Sequence, residues 1–195
     1  MSSNPSTAER LLLTAIDLMS EKGYDGTTTK EIAVAAGVNE VTLFRHFGTK
    51  QKLLEAAFSQ YHYGEEMTKL FQESLQGELV PDLLLISRTY HRITKRNRKL
   101  FKITLGSYRN LPEDVQKEAS RHPQLLQSLL TSYFIDMVNQ NKVVAPKPDL
   151  AAMSFMRMNY GAFVSSMNMQ DQASEDALNE FIEESVRLFA RALTP

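Results

Sequence analysis

The chain has 195 residues, 43% hydrophobic and 23% charged, with a formal net charge of −1 and no cysteine. This is the composition of a globular protein long enough to bury a sizeable core, as one domain or two small ones, and it excludes disulfides, thiolate catalysis and Cys-ligated zinc or iron–sulfur sites. No run of about 18 apolar residues is available to span a bilayer. The opening MSSNPSTAER has neither a basic nor an apolar leader region, so a cytoplasmic protein with no membrane partner is expected.

Ser6 and Glu9 stand at capping-box spacing, and Leu12, Ala15, Ile16 and Met19 then recur at helical intervals. They predict an amphipathic first helix closed near Gly23. Thr28 and Glu31 repeat the capping-box signal, and the second helix runs through Ile32, Ala33, Val34, Ala35 and Ala36 into Gly37. Glycine there can take the left-handed conformation that ends a helix without a Cβ penalty. Asn39 caps a third helix with Leu43 and Phe47 at i, i+4 on its core side and Val41, Thr42, Phe44 and Arg45 around the rest; Thr49 caps a fourth. Two brief helices joined by a short turn containing Gly read as a helix-turn-helix, whose second helix enters the DNA major groove.

The fourth helix reads as a long one, with Leu53, Leu54, Ala57, Phe58 and Tyr61 inward, continuing past Leu70 and Phe71 towards Gly77. After Pro81 come helical segments over 84–96, 100–108 and 123–140, with a helical turn over 112–120. Sustained period-two alternation and hairpin dipeptides are lacking, so the fold class is all-α. In 149–169 apolar residues surround the helix and leave a narrow stripe of Ser154, Arg157, Gly161, Ser165 and Asn168. A helix apolar nearly all round must be covered nearly all round, which calls for a second copy of the chain. The final helix carries a single stripe of Leu178, Phe181, Ile182, Ser185, Leu188, Phe189 and Ala192. Half of a four-helix homodimer interface is expected from Phe155, Met158, Ala162, Met169, Leu178, Phe181, Ile182, Leu188 and Phe189.

A net charge of −1 is unusual for a DNA binder, yet no acid falls between Asp82 and Glu113, where Arg88, Arg92, Lys95, Arg96, Arg98, Lys99, Lys102 and Arg109 all lie. Three readings stay open for this segment: a solvated face, phosphate contacts flanking the helix-turn-helix, and attraction of an acidic ligand. A smaller cluster, Arg45, His46, Lys50 and Lys52, sits at the helix-turn-helix itself.

The sequence G-Y-D-G-T-T-T from Gly23, the I-A-x-x-A-G-V core of Ile32 to Val38 and T-L-F-R-H-F-G-T-K from Thr42 to Lys50 resemble the DNA-binding domain of the tetracycline-repressor-like (TetR) family of bacterial regulators. The resemblance covers about a quarter of the chain and is specific as a compound pattern. It implies a three-helix DNA-binding domain over 1–50 and a helical-bundle effector-binding and dimerisation domain over 51–195. The homodimer would read a pseudo-palindromic operator of double-stranded DNA, and a small, partly hydrophobic effector would release it, which makes the chain a ligand-responsive repressor. On matching positions, the implied DNA contacts are Thr29, Lys30, Glu40, Val41, Thr42, Phe44, Arg45, His46 and Lys50.

Chemistry assigns these residues different tasks. Arg45 can donate a bidentate pair to guanine, Thr42 can bond a base, and Val41 suits a thymine methyl. Thr29, Lys30, His46 and Lys50 suit phosphates. Phe44 departs from the Tyr usual in the family and lacks its hydroxyl. Glu40 either accepts from cytosine N4 or complements the helix N-terminus. Tyr90, Ile103, Tyr133, Phe134, Met137, Met153, Met156, Tyr160 and Phe163 are candidate lining for an apolar effector pocket, flexible Met side chains suiting loosely specified ligands; an ordinary packed core explains them as well. No cofactor, metal site or catalytic motif is expected, and His62 with Glu66 at i, i+4 gives too few ligands for a metal. The alternatives are a helix-turn-helix binder without an effector and a helical enzyme.

Overall fold

In the computed structural model, which describes residues 5–61, 63–168 and 175–194, the four N-terminal capping residues all act as caps. Ser6 Oγ accepts from the Glu9 amide at 3.2 Å and opens α1 (Thr7–Lys22). Thr28 Oγ1 accepts from the Glu31 amide at 3.2 Å while the Glu31 carboxylate accepts from the Thr28 amide at 2.9 Å, a complete capping box for α2 (Thr29–Ala35). Asn39 and Thr49 do the same for α3 (Glu40–Phe47) and α4 (Lys50–Gln60), each side chain accepting at 3.1 Å. The turn after α2 closes as a Schellman motif, the Gly37 amide donating to Val34 and the Val38 amide to Ala33, with Gly37 at φ +68°. These local bonds hold the two helices in their hairpin.

The rest of the chain forms α5 (Gly64–Glu73), α6 (Leu79–Arg96), α7 (Arg98–Ser107), a 3₁₀ turn over Tyr108–Asn110, α8 (Glu113–Asn139), α9 (Pro148–Asn168) and α10 (Glu175–Leu193), with no strand among the described residues. Three elements differ from expectation. The long fourth helix is two helices, because Tyr61 leaves helical geometry at φ −108°, ψ 44°. α6 starts upstream of Pro81, which falls within the first turn, where its missing N–H is no loss. The segments 112–120 and 123–140 are one helix, α8, with Pro123 inside it.

The chain packs as two units that do not follow a single cut at residue 50. One gathers Met1–His62 with Asn97–Arg121, the other Tyr63–Arg96 with His122–Pro195. In the first, α1 packs on α2, α3, α4 and α7, and Leu11, Ala15, Met19, Leu43 and Leu54 share a core with Leu100, Ile103, Leu111 and Val115. In the second, α6 packs on α5, α9 and α10 around Leu83, Ile93, Phe134, Phe155 and Val186.

The second unit also buries His91, 5% exposed and hydrogen-bonded to Asn159, whose amide donates to the Phe155 carbonyl at 2.9 Å. Burial pushes the imidazole pKa from 6.5 down to about 4, against the Asn159 bond that favours the charged form. Between those values the unfolded chain binds a proton that the native chain excludes. The neutral His91 therefore supports the fold fully above about pH 6.5 and loses that contribution, on the order of 3 kcal/mol, as pH falls towards about 4. His91→Gln is expected to flatten the fall of the thermal midpoint across this window relative to the parent. Parallel curves for the two proteins would assign the acid sensitivity elsewhere.

Candidate nucleic-acid interface

α3 is eight residues long and only Leu43, 0% exposed, is fully buried. Its burial against the first unit's core fixes which side of the helix looks outward. Val41 is 71% exposed and Phe44 45%, and Arg45 and His46 are exposed beside them; Val41, Phe44 and Arg45 share one face at i, i+3, i+4. Thr42 is half-buried. The face thus offers a fork of guanidinium donors next to apolar carbon, the combination that reads guanine edges and thymine methyls. Val34 on α2, 71% exposed, adds a third open apolar side chain.

Several polar candidates brace the motif. Thr29 Oγ1 donates to Glu40 Oε1 at 2.6 Å, tying the start of α2 to the start of α3 and giving Glu40 a partner within the protein. Lys50 Nζ donates to the carbonyls of Tyr24 and Thr27 at 2.9 and 3.0 Å and lies 4.1 Å from the centroid of the Tyr24 ring. Two of its three hydrogens are therefore engaged with the turn before α2, and a phosphate would meet only the third. Lys22 and Glu31 pair at 2.9 Å between α1 and α2; the lysine bond first, then the Thr28 amide and hydroxyl, hold the Glu31 carboxyl down to about 2. Lys30 is exposed on α2.

Much of the basic segment is paired, Arg88, Arg92 and Arg96 within the second unit and Lys99 within the first. Arg88 meets Glu183 at 2.7 Å, Arg92 and Arg96 both meet Glu66, and Lys99 meets Asp17 at 2.7 Å. These exposed pairs fit the solvated-face reading.

The effector candidates are dispersed. Tyr133 and Met137 border a groove of about 320 Å³ between α5 and α8. Tyr90, Phe134 and Phe163 are buried, Met153 and Met156 half-buried, and Tyr160 is 42% exposed. Ile103, on α7, is a buried core residue of the first unit. Of the dimer candidates, Phe155 and Ile182 are each 1% exposed and already covered within the protomer, Phe155 by the Phe189 ring at 5.3 Å, so they cannot face a second copy. Phe181 and Leu188 are 42% and 63% exposed; Met158, Ala162, Leu178 and Phe189 are half-buried. Met169 and His62 lie outside the described residues. Asn159, buried on α9, was missed because nothing in its neighbourhood marks a polar residue for the interior.

Residues 11–57 match the sequence profile of bacterial regulatory proteins of the tetR family, and residues 81–194 match that of the AefR-like transcriptional repressor C-terminal domain. The chain is 32% identical over 190 residues to the uncharacterized HTH-type transcriptional regulator YvkB of Bacillus subtilis (strain 168), covering 96% of this chain and 97% of YvkB. Its fold is similar to that of the transcriptional regulator FadR from Bacillus subtilis, solved with stearoyl-CoA (TM-score 0.77, 16% identity, 94% and 97% of the two chains covered). It is also similar to the TetR family transcriptional regulator PfmR from Thermus thermophilus (TM-score 0.76, 18% identity, both chains fully covered).

Proposed function

This chain belongs to the TetR family of bacterial transcriptional regulators, and from that membership we propose that it is a repressor whose homodimer binds a pseudo-palindromic operator and leaves it when a small molecule occupies the helical domain. It is a helix-turn-helix DNA-binding protein. The observation that carries the finer reading is the outward face of α3, where Val41, Phe44 and Arg45 stand in solvent on a helix otherwise anchored through Leu43. Arg45 reads guanine, Val41 and Thr42 meet bases, and Lys30 and His46 hold phosphates. Glu40 and Thr29 set the angle of α3 rather than touch bases.

Repression accords with the C-terminal domain profile, and an effector accords with a helical second unit that carries a groove. A ligand that favours the DNA-incompetent state by about 2.7 kcal/mol would lower operator affinity roughly 100-fold by linkage. Selection of bound duplexes from a random DNA library at fixed salt tests the proposal. Enrichment of a two-fold-symmetric site is the expected result. Enrichment of a single unrepeated half-site would remove the dimer reading, and retention of all duplexes alike would remove sequence-specific binding.

On α10, Phe181 and Leu188 stand at i, i+7 and remain open while Ile182 and Val186 face the protomer's own core. We assign that open stripe, with the half-buried Met158 and Ala162 of α9, to the second copy. Leu188→Glu is expected to move the protein from dimer to monomer in sedimentation equilibrium and to lower operator affinity. A dimer of unchanged strength would place the interface on another face.

A further inference from the structure

The groove between α5 and α8 has features that neither DNA binding nor core packing requires. Its volume of about 320 Å³ is at the lower end of small-molecule sites, which run from about 300 to 1,000 Å³. Phe71, Leu129, Tyr133 and Met137 give it an apolar floor, and Asp136 is the charged side chain among the described residues lining it. Hydrogen bonds fix its loop wall. The Asp82 carboxylate, 1% exposed, accepts from the Gln76 and Gly77 amides at 2.8 and 2.9 Å and from the Tyr133 hydroxyl at 3.0 Å. At the rim, Lys142 Nζ donates to the Gly77 carbonyl at 2.7 Å, which ties that cation to the loop.

This arrangement selects a sign of charge. With its hydroxyl bonded to Asp82, Tyr133 contributes its ring, which stands edge-on to Phe71 at 6.4 Å between centroids. Burial first, then the nearby carboxylates of Asp82 and Glu78, push the Tyr133 pKa up and keep its hydroxyl a neutral donor to Asp82. Aromatic rings and the Asp136 carboxylate in the lining attract a cation, an anion would be repelled by Asp136, and Lys142 at the rim is engaged by the Gly77 carbonyl.

We propose that this groove is a binding site for a small amphipathic ammonium compound, its charged head at Asp136 and its apolar body on Phe71, Leu129, Tyr133 and Met137. Ser132, Gln72 and Gln140 at the mouth supply hydrogen-bond acceptors for the remaining ammonium hydrogens. The site rests on the effector reading only for its consequence at DNA, and binding itself is measured without DNA.

The probes are 2-phenylethylamine, an ammonium ion at neutral pH, and the uncharged 2-phenylethanol, titrated calorimetrically into the full-length protein. The amine is expected to bind at least about ten-fold more tightly than the alcohol. Asp136 is exposed, so Asp136→Asn is expected to keep the fold and to bring the two probes within about two-fold of each other; Ser132→Trp, filling the mouth, is expected to abolish both. Equal binding of amine and alcohol to the parent protein would overturn the proposal, as would a preference that survives Asp136→Asn or no amine binding up to about 10 mM. Release of operator by the amine, followed in parallel, bears on the effector reading alone: a bound amine that leaves DNA affinity unchanged keeps the site and removes its regulatory role.

Discussion

Arg45→Ala is expected to weaken operator binding by about 1 to 3 kcal/mol at each half-site, a loss of roughly 30- to 25,000-fold for a dimer reading two. The side chain is exposed on α3, so nothing in the protein's own packing is removed with it. What disappears is a planar fork that can give two parallel hydrogen bonds to guanine O6 and N7, and the base is then left without its donors at a contact closed to water. Binding to the selected operator and to variants altered at the guanine separates this from a phosphate effect. The loss should be confined to the operator carrying guanine, and Arg45→Lys should restore only part of it, since an ammonium is not a fork. Lys30→Ala, by contrast, should weaken all duplexes alike and lower the salt slope. If Arg45→Ala lowers affinity for every sequence equally, Arg45 holds the backbone and another residue reads the base.

Leu43→Ala is expected to destabilise the first unit by about 2 to 5 kcal/mol, a large share of the roughly 5 to 15 kcal/mol that holds a domain. Leu43 is 0% exposed and is the only fully buried side chain of α3, so truncation leaves a cavity and takes away the helix's anchor together. A helix of two turns cannot persist on propensity alone. Denaturant unfolding should show the lower midpoint, and operator binding should fall with it even where the protein remains folded. Val41→Ala is the paired control: at 71% exposure it should leave the stability within about 0.5 kcal/mol of the parent while still weakening the operator. A Leu43→Ala protein with unchanged midpoint and unchanged DNA affinity would mean that α3 is held by its caps and Phe47.

The helix-turn-helix was readable from sequence because its boundaries are local. Ser6, Thr28, Asn39 and Thr49 each bond an amide two or three residues ahead, and Gly37 ends α2 by a conformation glycine alone adopts freely. The TetR-type fold was legible for the same reason. Breaks set by tertiary packing were not. The apolar rhythm runs on from Phe58 to Met67 and Leu70 although α4 ends between them, because each piece buries its stripe in a different core. Pro123 suggested a boundary inside what is a single helix, at the point where α8 passes from one packing unit to the other.

The site divided along the same line. Outward residues of α3 follow from where Leu43 must point, but no spacing rule shows that Lys50 turns back to the Tyr24 and Thr27 carbonyls or that Thr29 and Glu40 bond each other. Apolar composition likewise cannot tell a lined groove from a filled core. Phe134 and Phe155 look like Tyr133 and Met137 in sequence, and only the second pair is near a cleft or its rim of polar groups once the helices are placed.

The membership of α7 in the DNA-binding unit limits how such a regulator can be rewired. A DNA-reading head transplanted as one uninterrupted stretch, 1–62, onto another sensor would arrive without Leu100, Ile103, Leu111 and Val115, and would have to find replacements for them in the foreign counterpart of 97–121. Exchange of specificity between relatives is therefore simpler by rewriting the outward side chains of α3 in place than by cutting and splicing, and a spliced hybrid should inherit a compatible 97–121 segment along with its new head.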